Sequence, residues 1–167
     1  MPSHDRLRST FESQHGRLWR SVLAHTGDPE IASDAVAEAF AQAARRGDGV
    51  RDARAWVWRA AFRIAGGQLA ARRASAPTDL GAVHVASTDT LPDEVVALLD
   101  ALGRLAVLDR QVVVLSLVGG LSAAEVGDVV NASPGAVRVR LHRARARLRE
   151  ALGGEGAASS VELQEEP

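Results

Sequence analysis

The stretch from Gly120 to Leu152, GLSAAEVGDVVNASPGAVRVRLHRARARLREAL, constrains this chain more than any other. It predicts a short helix, a tight turn and a longer helix. Ser122 can cap the short helix, and Glu125 three residues later completes a capping box. Asn131-Ala132-Ser133 interrupts the pattern. Ser133 then caps the longer helix, and Pro134 stands at its first position, where a missing N–H costs nothing. Val137, Leu141, Ala144 and Leu148 recur on one side as an apolar stripe that must pack on the rest of a domain. Six arginines lie between Arg138 and Arg149 with no acid among them.

Two capped helices at this separation point to a helix-turn-helix whose second helix enters the major groove of DNA. Gly135, Arg138, Val139, His142 and Arg143 lie on the side away from the stripe, near the helix start, the part such a helix offers to base edges. Ser133 and Arg140 complete the candidate set. The planar fork of arginine can donate two bonds to O6 and N7 of guanine. Arg145, Arg147 and Arg149 lie further along, toward phosphates or solvent. The competing interpretation is an arginine-rich surface helix with no nucleic-acid role.

Charge elsewhere is segregated. The net charge of the 167 residues is only −1, and every arginine-or-lysine position is arginine. Residues 45–73 carry eight arginines against Asp48 and Asp52, residues 74–94 carry four acids and no arginine, and residues 153–167 carry only acids. Such segregation suits separate nucleic-acid-binding modules. The absence of cysteine excludes disulfides, thiolate zinc sites and a cysteine nucleophile. No histidine pair has metal-binding helix spacing and no glycine-rich loop follows a strand, so no metal and no cofactor are expected. No apolar run has the length of a membrane span or the form of a signal peptide, so a cytoplasmic protein with no membrane contact is expected.

The pattern is helical throughout. Leu7, Phe11, Leu18, Trp19, Val22 and Leu23 suit one helix, broken at Gly27-Asp28-Pro29. Asp28 can cap a second, with Ile31, Ala35, Val36, Ala39, Phe40 and Ala43 inward and Asp34 and Glu38 projecting together. Gly47-Asp48-Gly49 forms a loop. A third helix runs from about Asp52 to Arg73 and interleaves Trp56, Trp58, Phe62 and Ile64 with arginines. Such aromatics can stack on unpaired bases or serve as core, and core is the stronger alternative for Trp56 and Phe62 than for Trp58. Residues 74–93, rich in Ala, Ser, Thr, Asp and Pro, resemble a flexible acidic linker. Leu91 to Val118 predicts two more helices, the valine run of DRQVVVLSLV among them. Gly153-Gly154 predicts a helix stop and a disordered tail over 153–167. The expected fold is all-α, with helical domains over 1–73 and 94–152.

In this order, two small helical domains and an acidic linker resemble an extracytoplasmic function (ECF) sigma factor of bacterial RNA polymerase. TGDPEIASDAVAEAF and RAWVWRAAFRIA are similar to the family's second region, and LDRQVVVLSLVGGLSAAEVGDVVNASPGAVRVRLHRARARL to its fourth. The resemblance implies that Asp34 and Glu38 dock on the clamp of the polymerase's largest subunit, with Phe40 as core. It also implies a contact with the flap of the second-largest subunit. Asp48, Arg51, Arg54, Trp56, Trp58, Arg59 and Arg63 would serve capture and opening of the minus-ten element. Ser133, Gly135, Arg138, Val139, Arg140, His142 and Arg143 would read the minus-thirty-five element. It implies an alternative sigma factor that leaves phosphoryl transfer to the polymerase, so no catalytic residue and no enzyme activity are expected. An anti-sigma factor is a plausible further partner.

The chain departs from the family where Ala37 replaces a common Gln, Arg63 a common Asn and Gly67 a common Asp. Ala106 stands where many members have Pro, and Val139 where a small polar residue is usual. Gly66-Gly67 predicts a bend or end in the third helix, at roughly 1 kcal/mol per glycine relative to alanine. The main alternative function is a helix-turn-helix regulator whose first domain binds a protein or ligand. A helical adaptor that binds no DNA is the third.

Overall fold

The computed structural model describes residues 2–75 and 92–160, and the side chains of 4–75 and 92–153. Among the described residues the fold is all helix, in two groups. The first holds α1 (Pro2–Thr26), α2 (Pro29–Arg46), a short 3-10 turn (Gly47–Gly49) and α3 (Ala53–Ser75). The second holds α4 (Asp93–Gly103), α5 (Val107–Val113), a π-helical turn (Val114–Val118), α6 (Ala123–Val130) and α7 (Pro134–Ser160). The linker expected over 74–93 begins inside α3 and runs into α4; its centre, 76–91, lies outside the described residues, as do 161–167 of the expected tail.

The ends of the helices follow from their caps. Asp28 Oδ1 accepts from the backbone N–H of Glu30 and Ile31 at 2.9 and 3.1 Å, and Pro29 opens α2. Asp52 does the same for α3, accepting from Ala55 N–H at 2.9 Å. Gly47, at φ 53°, ends α2 with its N–H on the carbonyls of Ala43 and Ala44. In the first group Leu18 and Val22 of α1 close on Ala35, Val36 and Ala39 of α2 and on Val57, Ala61 and Phe62 of α3, all buried. The many alanines there let helix axes approach closely, and Phe40 is core, edge-on to Phe11 at 5.0 Å.

The helix-turn-helix forms as its signals predict. Ser122 Oγ accepts from Glu125 N–H and the Glu125 carboxylate accepts from Ser122 N–H at 2.8 Å, a complete capping box. Asn131 takes the left-handed conformation at φ 56°, and Ala132 N–H returns to the carbonyl of Gly127 at 3.0 Å. Ser133 Oγ accepts from Ala136 N–H at 3.2 Å. Val137, Ala144 and Leu148 are buried and Leu141 is half-buried. The valine run is helix and π-turn, with Val112, Val113, Val114 and Leu115 buried.

Three expectations need correction. The glycine pairs stop neither helix: α3 passes through Gly66-Gly67 and α7 through Gly153-Gly154. A glycine stop takes the left-handed conformation that turns the last carbonyls back. Neither Gly66, Gly67 nor Gly153 has positive φ. Trp58 is the third. It is only 1% exposed, stacked on Phe62 at 6.2 Å, with Nε1–H donating to Gln14 at 3.4 Å. It is core, because its face of α3 meets α1 and the second helix group.

Two predictions come from the packing. A Cβ on Gly127 would lie 2.4 Å from the carbonyl oxygen of Ala132, backbone that the turn holds in place. Gly127→Ala should therefore cost about 1–3 kcal/mol, read as a lower thermal midpoint; an unchanged midpoint would contradict the close approach. His25 is 2% exposed, with Nδ1 lacking a partner. Burial, then the nearby Arg110 and Arg73, lower its pKa from 6.5 to about 3. The folded chain thus keeps this imidazole neutral where the unfolded chain protonates it. The resulting stability is full above about pH 6.5 and is lost as pH falls toward 3, at up to ~1.4 kcal/mol per unit. Denaturant titrations at about pH 7.5 and about pH 5.5 should show His25→Gln losing less stability than the parent. Equal losses would refute the buried neutral state.

Candidate nucleic-acid interface

The start of α7 presents Arg138, Val139, His142 and Arg143 to solvent, with Gly135 and Ser133 exposed beside them. Val139 is 53% exposed. Arg145 and Arg149 are exposed further along.

Arg140 is placed differently from its neighbours. Its guanidinium donates to Asp109 Oδ1 at 2.6 Å, and that of Arg147, two turns on, to Asp109 Oδ2 at 3.2 Å. Asp109, at the start of α5, is buried and so fixes the roll of α7 about its axis. Arg140 therefore serves first as an anchor, and Arg147 is no longer a free cation for phosphates. An isolated acid in LDRQ gave no signal of this from sequence. Between these anchors and the helix start lies a cleft of about 470 Å³, lined by Gly135, Val139, Arg140 and Arg143 among others.

In the first group the sequence-chosen residues separate into three places. Trp56, Arg59 and Arg63 share one side of α3 and, with Arg46, line a cleft of about 370 Å³. The Arg46 guanidinium lies 5.5 Å from the centre of the half-buried Trp56 ring. Asp48 and Arg51 belong instead to the exposed turn after α2, where Asp48 is 3.8 Å from Arg6. Arg54 is taken up by Glu125 of α6 at 2.7 Å, and Trp58 is in the core. The structure thus gathers Trp56, Arg59 and Arg63 of the seven into one arginine-aromatic cleft.

Asp34 is exposed on α2. Glu38, one turn on, is half-exposed and accepts from Gln42 at 2.9 Å and Arg45 at 2.6 Å. These hydrogen bonds, that from Gln42 foremost, hold its carboxyl below the usual range. Both carboxylates face outward together, as their spacing predicts. Among the described residues no cluster of metal-ligating side chains occurs, and no helix is long and apolar enough to cross a membrane.

The two helix groups touch. Trp58 packs against Gly119, where a Cβ would come within 2.8 Å of the indole. The cleft of Trp56, Arg59 and Arg63 is also lined by Asp128 and Val129 of α6. Sequence reasoning missed Glu125 and Asp128 as partners of α3, because Glu125 was already accounted for by its cap.

Two helix groups, with an outward acidic pair, an arginine-aromatic cleft and a capped helix-turn-helix, define an all-helical protein of the helix-turn-helix class. Residues 96–148 match the family model of sigma-70, region 4. The chain is 33% identical over 163 residues to the ECF RNA polymerase sigma factor SigL of Mycobacterium tuberculosis, covering 87% of this chain and 88% of that one. It is 31% identical over 176 aligned positions to the probable ECF RNA polymerase sigma factor SigI of the same species, covering 97% of this chain and 59% of that one. In fold it is similar to the sigma factor RpoE of Bartonella quintana, solved with the anti-sigma factor NepR, at TM-score 0.71 and 19% identity over 87% of this chain and 96% of that one. The chain belongs to the ECF sigma factors of the sigma-70 family.

The Asp109 anchor generates a prediction. Asp109→Asn keeps the shape but removes the charge that both arginines share. Partly exposed pairs are worth at most ~1 kcal/mol each, so unfolding should become easier by about 1–2 kcal/mol at low salt. That difference should shrink at about 1 M salt, where screening is short-ranged. A loss independent of salt would contradict the ionic anchor.

Proposed function

We propose that this chain is an alternative sigma factor that binds core RNA polymerase and directs promoter recognition, DNA melting and transcription initiation. The observation that carries this reading is the pairing of an exposed Arg138–Arg143 face on a capped helix-turn-helix with a separate arginine-aromatic cleft on α3. One surface suits duplex and the other suits unpaired bases, which is what a bipartite promoter presents.

The division of labour is as follows. Residues 1–73 dock on the polymerase and take the minus-ten element. Asp34 and Glu38 meet basic side chains on the clamp of the largest subunit, where Arg45 yields Glu38 to its new partner. Trp56 stacks on an extruded base while Arg46, Arg59 and Arg63 hold its phosphates; Asp48 and Arg51 border this strand from the turn after α2. Residues 94–152 sit at the flap of the second-largest subunit, and Arg138, Val139, His142 and Arg143 read the minus-thirty-five element in the major groove, with Ser133 and Gly135 close to its backbone. The residues between act as the tether. Docking on the polymerase sets the distance between the two domains, so that once one is bound the other meets its element at raised effective concentration.

No step needs a catalytic side chain, metal or cofactor from this chain, because the polymerase carries out phosphoryl transfer. The chain acts in the cytoplasm, where the polymerase and the promoter are. An anti-sigma factor is a fitting regulator, since RpoE of Bartonella quintana was solved with one.

Run-off transcription with purified core polymerase, on DNA carrying the chain's own upstream region or a genomic promoter pool, tests the proposal. A transcript that depends on the chain is expected; no transcript together with no binding to core polymerase would overturn it. Arg143→Ala should weaken upstream-element recognition by ~1–3 kcal/mol, about fivefold to a hundredfold, with core binding unchanged. Equal loss of both would contradict its role. Reversing Asp34 and Glu38 to Arg should lower core affinity at least about tenfold, and unchanged affinity would refute the clamp assignment.

A further inference from the structure

We propose that Val139 is the specificity-determining centre of the duplex-reading face: with Gly135 and Ala136 it forms an apolar floor that selects a thymine by its 5-methyl group, while Arg143 at the rim takes a guanine beside it. The inference deepens the reading of α7 as the minus-thirty-five helix and rests on it.

Three observations carry it. The first is position. At 3.6 residues per turn, Gly135 and Val139 lie at the middle of the outward face, with Arg138 and His142 on one flank and Arg143 on the other; all five are exposed. The side chain at the centre of this cationic face has no charge and no hydrogen-bonding atom. Only its two methyl groups can meet a base edge. The second is the space above it. Gly135, Ala136 and Val139 line the cleft of about 470 Å³ on one side of α7. A Cβ on Gly135 would meet nothing within 4 Å, so one turn before Val139 the helix backbone is bare and a base edge can come close. The third is the disposal of the nearby charge. Arg140 and Arg147 also line the cleft, but the Asp109 carboxylate holds their guanidinium groups at 2.6 and 3.2 Å. Arg143 is left as the fork at this rim with no ion pair or hydrogen bond among the described residues.

The chemistry of the major groove turns this arrangement into a choice of base. Thymine alone presents a methyl group there. A purine would set its N7 acceptor against the valine methyls, and cytosine its N4 amino donor, and each would lose water without gaining a partner. The floor therefore attracts one base and penalises the other three. Arg143 lies four residues beyond Val139, about 6 Å along the helix. Base steps rise about 3.4 Å, so the guanine that its fork takes lies within about two steps of the thymine.

A methyl-deletion scan tests this with the holoenzyme, core polymerase plus the full chain, on the upstream duplex of a promoter that it transcribes. Each thymine of that element, on either strand, is replaced singly by deoxyuridine, which removes the 5-methyl group and keeps the base pair. One replacement should weaken binding by about threefold to fivefold, the worth of one buried methyl. The guanine at which Arg143→Ala loses its discrimination should lie within about two base steps of it. In Val139→Ser the thymine and deoxyuridine duplexes should bind alike. That change leaves the packing side of α7, Val137, Ala144 and Leu148, untouched, and unaltered core affinity checks that the variant is folded. A scan with no sensitive thymine, or the same sensitivity in Val139→Ser, would overturn the inference. Failure of the underlying reading is a different result: the holoenzyme does not bind the upstream duplex, or Arg143→Ala binds it as well as the parent does. A silent scan on a duplex that still needs Arg143 refutes the role of Val139 alone.

Discussion

The outward face of α7 depends on Asp109, whose carboxylate takes up two of the helix's arginines. The buried Val137, Ala144 and Leu148 seat α7 on the domain, and a directional polar contact adds to that packing. The buried Asp109 carboxylate grips Arg140 and Arg147 on one side of α7, and this turns Arg138, Val139, His142 and Arg143 outward as one face. Removing the carboxylate would leave two cations without their shared acid. The same device spends two of the six arginines on structure, so a rich run of positive charge is not a count of DNA contacts.

Local chemistry made much of the fold legible. Each cap that the sequence signals occurs: Asp28, Ser122 with Glu125, and Ser133 all accept the expected backbone N–H groups. These are short-range effects, set within three or four residues, and tertiary structure does not need to be known to read them. The glycine pairs misled for the opposite reason. A Gly-Gly step weakens a helix without ending it unless a glycine there turns left-handed to satisfy the last carbonyls.

The site was less legible than the fold. The spacing of Asp34 and Glu38 was enough to place both on one face. The surroundings of Trp58 and Arg54 were not legible because they come from far along the chain. Trp58 looks like an exposed aromatic if α3 is considered alone; the second domain and α1 bury it. The partner of Arg54 was not foreseen because Glu125, already credited to a cap, reaches it with its other oxygen. Gly127 could have been noticed as a glycine inside a helix just ahead of an Asn turn, the signature of a close backbone approach.

The two domains thus do different work with similar materials: one aims arginines outward on a fixed helix, the other gathers them round a half-buried indole. The most direct measurement of this account is permanganate reactivity of thymines around the start site, on promoter DNA with core polymerase and this chain together. The account predicts reactive, unpaired thymines that need both proteins and are lost with Trp56→Ala. Protection of the upstream duplex with no reactive thymine would contradict it, leaving a duplex-binding regulator in its place.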